Sequence, residues 1–565
     1  MTIKLAEKLK GAYARKSNPS SMVCEIEDFS EAVKYEYGKR PKNLAPGFVA
    51  GSKRGGDRKL YIYEAPMLSH VQLIAPTGAG KTQTFVANQL MNATGNTSFI
   101  VLDPKGELLQ NTREKLCRVY GEKNVRFINF QDPERTEMFF NPLENMTRHY
   151  MEAEGKSPEE RKREEDAVWA ELDTLMTFLF PEKFAGNSDL TWHYASIDII
   201  SAIIIGLMED TRDVSFRGDS AGIRRKISPK EVTLKRVADI LSCFTPESGI
   251  DNWGDMKFFA SRPQSSLAKK KVMYVLRCEA RSTKSCYLST ASSYLASIAP
   301  NKALTLTSRN SFNFDDIDSS PPFVLFIIVD FIDVTMKKWA NLFIQHLLNA
   351  MVKKYSKTAK PLATPVVFLA DEFNSLAPNE LYPSIVSVSR GLNVYFCFIV
   401  QSISQLDAAY KESSNTIKEN CIIKVFLSEN SDANARCSSD ELGKHTGLSV
   451  SDLLNCKFCA KPQDNVPPEK LLFGMQPGEC YMRIKNKVVH SSFEFFYATP
   501  EYQEAGKFDI STVKPMVLYD EKNDEDEEEE MTEEDRVELA RKLLEKRKEE
   551  ILKRMRRESK EEDEE

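Results

Sequence analysis

Apolar residues along this chain first gather into short continuous runs, with polar or helix-like stretches between them. Strand signals begin at Phe48 and recur at Leu60-Tyr61-Ile62-Tyr63, Val71-Gln72-Leu73-Ile74, Ser98-Phe99-Ile100-Val101-Leu102 and Val125-Arg126-Phe127-Ile128-Asn129-Phe130. Helical patterning covers 83–91, and Asp103-Pro104-Lys105-Gly106-Glu107 reads as a turn opening a further helix. Such runs alternating with helices predict a parallel sheet buried on both faces. From about 145 to 315 the period changes. Apolar positions within 169–179 and 194–208 recur at three and four, and Ser157-Pro158-Glu159-Glu160 is a charged helix start. Strand runs return at 323–329, at Val366-Val367-Phe368-Leu369-Ala370 and at 393–401, with a helix expected over 338–355. The predicted fold class is α/β, a central parallel or mixed sheet interrupted by an inserted all-α domain.

Directly behind Ile74 stands Ala75-Pro76-Thr77-Gly78-Ala79-Gly80-Lys81-Thr82. Strand, glycine-bearing loop, Lys-Thr and helix form the arrangement that cradles a nucleotide's phosphates. Pro76, Thr77, Gly78, Ala79 and Gly80 would wrap the phosphate oxygens with backbone N–H groups, and the helix N-terminus adds partial positive charge. Lys81 would reach the β- and γ-phosphates, and the Thr82 hydroxyl would ligate Mg²⁺. Alanine (Ala75) replaces the usual first glycine. The acidic partner is Asp371-Glu372, at the C-terminal end of an apolar run, where ligands bind in open α/β sheets. Asp371 would hold Mg²⁺ through water, and Glu372 would orient and deprotonate the attacking water. The competing reading makes Glu372 a solvated residue after a strand. Loop and acidic pair together point to a P-loop ATPase with ATP and Mg²⁺ as cofactors.

The 565 residues exceed one ordinary core, so two or three folded units are expected. Net charge is −6, but 520–565 alone carries −10, leaving +4 on the remainder. A mildly basic body with an acidic tail fits a nucleic-acid partner. In the tail, Thr532 caps a predicted helix with Val537, Ala540, Leu544, Ile551 and Met555 near one face, either solvated or docked on a partner. No run approaches the ~18 consecutive apolar residues of a membrane helix, and the Lys-rich N-terminus lacks an apolar signal core. A cytoplasmic protein is expected. The eleven cysteines are scattered, as free thiols in a reducing compartment would be. Cys456-Lys457-Phe458-Cys459 has ligand spacing, but Cys437 and His445 complete no zinc module, so no metal besides Mg²⁺ is predicted.

The phosphate loop, Asp103-Pro104-Lys105-Gly106-Glu107, Leu369-Ala370-Asp371-Glu372-Phe373, Ser389-Arg390-Gly391-Leu392-Asn393, Val400-Gln401-Ser402, and Gln405-Leu406 before Tyr410 occur in that order. Together they resemble the coupling proteins of type IV secretion and conjugation systems, over roughly 46–500. The resemblance implies a RecA-like P-loop NTPase domain over 46–144 and 320–500, and an inserted all-α domain over 145–319 for DNA or relaxase recognition. An N-terminal extension (1–45) and an acidic, partly helical tail (501–565) flank them. It also implies a hexameric ATPase that receives relaxase-bound, probably single-stranded DNA and delivers it to the secretion channel. Nucleotide contacts then fall on Gly78, Gly80, Lys81 and Thr82, and metal and catalytic acids on Asp371 and Glu372. Gln401 would sense the γ-phosphate or merely cap its strand. Arg390 would be a finger inserted into the next subunit's site, or a surface salt-bridge arginine.

Family members usually begin with membrane-spanning helices, which this sequence does not show. A separate membrane-anchoring partner at the inner face of the cell membrane is expected, unless a segment is missing. Two basic clusters are DNA or relaxase candidates: Lys269, Lys270, Lys271, Arg277, Arg281 and Lys284, and Arg224, Arg225, Lys226 and Lys230. Rival functions are a RecA-like translocase of double-stranded DNA and a substrate receptor that uses ATP only to assemble.

Overall fold

The computed structural model describes residues 23–30, 32–36, 47–52, 59–64, 69–182, 190–212, 226–244, 257–260, 262–311, 313, 321–330, 332–376, 378–445, 463–499, 502 and 506–513. The expected tail helix, Cys456 and Cys459, and Arg224 and Arg225 lie outside the described residues. In chain order the strands are β1 (Val23–Glu25), β2 (Ala32–Glu36), β3 (Gly47–Ser52), β4 (Lys59–Glu64), β5 (Val71–Ile74), β6 (Ser98–Leu102), β7 (Val125–Asn129) and β8 (Val324–Ile328). They continue as β9 (Val366–Ala370), β10 (Val394–Val400), β11 (Ile423–Phe426), β12 (Lys444–His445), β13 (Gln463–Asp464), β14 (Glu479–Ile484) and β15 (Lys487–Ser492). One sheet takes the order β2-β4-β3-β15-β14-β11-β5-β10-β9-β6-β8-β7, with β1 beside β15, while β12 and β13 pair separately.

From β11 across to β7 every neighbouring pair is parallel, so all seven C-terminal ends share one edge. Beyond β11 the sheet turns antiparallel through β14, β15, β3, β4 and β2. Strand side chains alternate between two cores. Val71 and Leu73 of β5 pack with Phe85, Leu90, Leu109 and Leu116. Ile74 faces the other side, with Phe368 of β9 and Phe343 and Leu347. Helices Ala87–Met91 and Glu107–Tyr120 cover the first face. Helices Val334–Thr358, Leu381–Ser389 and Ile403–Tyr410 cover the second.

Between β7 and β8 the described residues form no strand. Helices Pro142–Glu152, Pro158–Leu179, Leu190–Glu209, Leu234–Ser242, Arg281–Ile298 and Asn301–Leu306 lie there. Ser157 and Glu160 close a capping box at the start of Pro158–Leu179, satisfying donors the first turn would otherwise leave free. Leu172, Ile203, Leu288 and Ile298 belong to the same apolar core as Trp339, whose indole N–H also donates to the Ile298 carbonyl at 2.7 Å. Leu190–Glu209 is long and apolar enough to cross a membrane, with a mean hydropathy of 1.5, but 67% of its apolar 18-residue window is buried in the fold. Thr191, His193, Ser196 and Asp198 break its apolar run, which is why the sequence shows no continuous span.

Of the strands beyond β5 in the sheet, β3 and β4 were legible from pattern, at Phe48 and at Leu60 to Tyr63, but β11, β14 and β15 were not. β11 is four residues with Lys424 inside it, and β14 and β15 carry Glu479, Arg483, Lys487 and His490 among their apolar positions. Such short, mixed runs give little period to read.

Candidate nucleotide-binding site

β5 delivers the phosphate loop to the shared C-terminal edge, where the Ala75 N–H donates to the Val400 carbonyl at 3.0 Å. The loop turns sharply, with the Ala79 N–H on the Pro76 carbonyl at 3.2 Å. Gly78 and Gly80 have φ of 86° and 83°, a left-handed backbone that strains any residue carrying a Cβ. At Gly80 an added Cβ would meet Thr84 at 3.4 Å and Phe495 at 3.5 Å, ordinary van der Waals contact, so the backbone rather than space demands glycine there. The chain then enters a π-wound turn, Thr82–Val86, before the α-helical Ala87–Met91. Inserted π turns recur at functional sites.

β9 lies two places along the sheet and brings up the acids. The Thr82 hydroxyl donates to Asp371 Oδ2 at 2.7 Å, and Lys81 Nζ lies 3.3 Å from Glu372 Oε1. Asp371 Oδ1 is buried without a hydrogen-bond partner. Burial pushes Asp371 up to about 6, against the pull of the Thr82 hydrogen bond and of Lys81. A hydroxyl and a carboxylate with one free oxygen are the hard donors that Mg²⁺ takes, so these residues fit that ion. Glu372 sits at φ 59°, ψ 63°, a left-handed conformation uncommon outside glycine. Phe373 anchors it from behind, edge-on to Phe398 at 4.7 Å and stacked on Tyr410 at 5.6 Å.

Gln401 directly follows β10, the strand between the loop and the acids. It shares a cavity of about 140 Å³ with Glu372, Asn374, Ser375, Gln405 and Lys337. The Gln405 amide donates to Gln401 Oε1 at 3.3 Å and accepts from Asn374 at 3.1 Å. Asp103 directly follows β6, next to β9, and its Oδ2 accepts the Leu109 N–H at 2.8 Å, fixing the start of helix Glu107–Tyr120. Burial, with Asp371 adding to it, pushes Asp103 up to about 7 against that bond. An Asp ending a parallel strand beside the acidic one was the available signal.

Arg390 is not brought to this site within the chain. It is exposed, just before the start of β10, so about 20 Å of strand separates it from the phosphate loop. Its neighbour there is His70, whose Nδ1 accepts the Phe396 N–H at 3.0 Å and whose Nε2 faces the Val386 carbonyl at 3.1 Å. In the basic cluster of the helical segment, Lys271 pairs with Asp198 at 3.2 Å and Lys269 donates to the Arg262 carbonyl at 2.9 Å. Lys270 and Arg277 are exposed.

A glycine loop behind one parallel strand, adjacent acids ending another, and a single strand between them define a RecA-like P-loop NTPase fold. More specifically, the chain belongs to the type IV secretory system conjugative DNA transfer family, whose model matches residues 26–452. It is 24% identical to the VirD4 protein of Rhizobium radiobacter over 383 residues, 67% of this chain and 48% of that protein. VirD4 of Agrobacterium fabrum (strain C58 / ATCC 33970) matches at the same identity over 67% of this chain and 50% of its own. The chain thus spans about half the length of the curated relatives it matches. Among solved structures, the unbound bacterial conjugative coupling protein TrwBdeltaN70 is similar over 78% of this chain and 89% of its own, at 13% identity and a TM-score of 0.49.

Proposed function

We propose that the chain hydrolyses ATP and uses the energy to drive DNA toward a type IV secretion channel during conjugative transfer. One observation carries the hydrolytic part: Glu372 stands beside the phosphate-loop lysine, directly after the Asp371–Thr82 pair. On this reading Glu372 takes a proton from water, the water oxygen bonds to the γ-phosphorus, and the bond to the leaving oxygen of ADP breaks. Lys81 and the loop N–H groups neutralise phosphate charge. Thr82 and Asp371 would hold Mg²⁺, which would supply positive charge against the charge that develops on the phosphate. Gln401, emerging between the loop and the acids, reads the γ-phosphate. Arg390, too distant to serve its own site, serves a neighbouring subunit's, which calls for a ring, taken as a hexamer on DNA.

Family membership supports DNA as the cargo and the type IV secretion system as its destination; that the DNA is a relaxase-bound single strand, and that the chain acts at the cytoplasmic face of the membrane, belong to the same proposal. The test is ATP turnover with and without single-stranded DNA. Hydrolysis stimulated by DNA and abolished in Glu372→Gln supports the motor; nucleotide binding with no turnover on any DNA would leave only an assembly role.

A further inference from the structure

The cavity beside Glu372 lies at the C-terminal end of β10, with Lys337 and Gln405 contributed by helices that cover the second sheet face. Lys337 reaches it from the first turn of helix Val334–Thr358, whose N-cap Asp333 accepts the Met336 N–H at 3.0 Å. A cation in a first turn opposes the helix dipole. Among the described residues the Lys337 ammonium makes no ion pair or hydrogen bond that could offset this. Ser375, in the same lining, is 4% exposed, and its hydroxyl has no partner. Buried polar groups are nearly always paired, so an orphan at a cavity wall marks where a ligand would pair it. The cavity offers roughly ten times the room a single ordered water needs.

Lys337, Ser375 and the amides of Asn374, Gln401 and Gln405 are donors converging on one space, the chemistry of an oxyanion site. Glu372 is its one acid. In the hydrolysis proposed above, the new phosphate separates from ADP beside Glu372, at the mouth of this donor-lined space. We propose that this cavity receives the released inorganic phosphate, with Lys337 and Ser375 as its principal donors. The inference rests on the ATPase reading of the site.

Inorganic phosphate itself is the probe. Turnover of the full chain on DNA is measured against rising phosphate at constant ionic strength, in parallel with equilibrium binding of a non-hydrolysable ATP analogue. Wild type should be inhibited by phosphate. Lys337→Ala should raise the inhibition constant about tenfold or more, the loss expected for a charge-assisted contact. Ser375→Ala should raise it less, and Lys337→Arg should recover most of the effect. Affinity for the analogue should stay within about twofold throughout. Phosphate inhibition that is absent from wild type, or unchanged in Lys337→Ala, overturns the inference while leaving the ATPase standing. Loss of analogue affinity in step with phosphate affinity also overturns it, by placing Lys337 on bound nucleotide. Absence of any turnover in wild type overturns the ATPase reading and this inference with it.

Discussion

Glu372, the base in the proposed hydrolysis, has its backbone held where few glutamates sit. The left-handed conformation costs of order 1–3 kcal/mol, and such residues persist only where the surroundings over-determine them. Glu372→Gln keeps the side-chain shape but removes the base. Turnover should fall about 10²–10⁴-fold while ATP remains bound; unimpaired turnover would sink the assignment. Lys81→Ala should instead weaken nucleotide binding, because the phosphate charge loses its partner. At the other end of β10, His70 gives a pH signature. Burial first, then the Arg390 guanidinium, lowers it from 6.5 to about 4. Between those values the unfolded chain binds a proton that the folded chain refuses. The stability present above pH 6.5 is therefore lost as pH falls toward 4, by about 3 kcal/mol in all. His70→Gln can keep both hydrogen bonds without titrating. Urea midpoints from pH 7.5 down to 5 should fall less steeply in this variant than in wild type, and equal slopes would contradict the assignment.

Elements set those residues in register. β9 and β10 pair Phe368 with Phe396 and Ala370 with Phe398, so the acids and Gln401 emerge side by side at one edge. The short turn Phe373–Ser375 is then pinned by the Phe373 ring against Tyr382, Phe398 and Tyr410. Phe373→Ala should cost about 3–5 kcal/mol of stability through the cavity it leaves. Phe373→Leu should keep most of the stability, yet lower turnover more than nucleotide affinity, because the aromatic contacts aim Glu372 rather than bind phosphate. Equal losses in both quantities would argue against a positioning role. The strands that build the site were legible because each is a continuous apolar run ending in a residue whose chemistry is local: Lys-Thr after β5, Asp-Glu after β9. The partners of those residues were less so. Asp103 acquires meaning only from Asp371 across the sheet, Lys337 from the cavity-lining residues of the later strands and helices, and Ser375 from the depth at which the fold buries it. No period encodes that, just as none announced β11, β14 and β15.

At the scale of the whole molecule, the separation of Arg390 from its own phosphate loop decides how many chains a working unit needs. An exposed arginine at the opposite end of a strand cannot stabilise charge at its own site. If it acts, it acts on a neighbour. Turnover per chain should then rise with protein concentration, or on DNA long enough to template a ring. Removing the guanidinium should cost about 10³-fold or more if it meets the γ-phosphate. The sharper experiment mixes Arg390→Ala chains with Lys81→Ala chains, each inactive alone. One supplies an intact phosphate loop and the other an intact arginine, so mixed rings contain interfaces at which both are present. Part of the activity should return, peaking at intermediate ratios. Should the two variants co-assemble, as judged by native mass, and still show no recovery, another arginine serves the site. Full turnover by dilute monomers would remove the ring from the mechanism altogether.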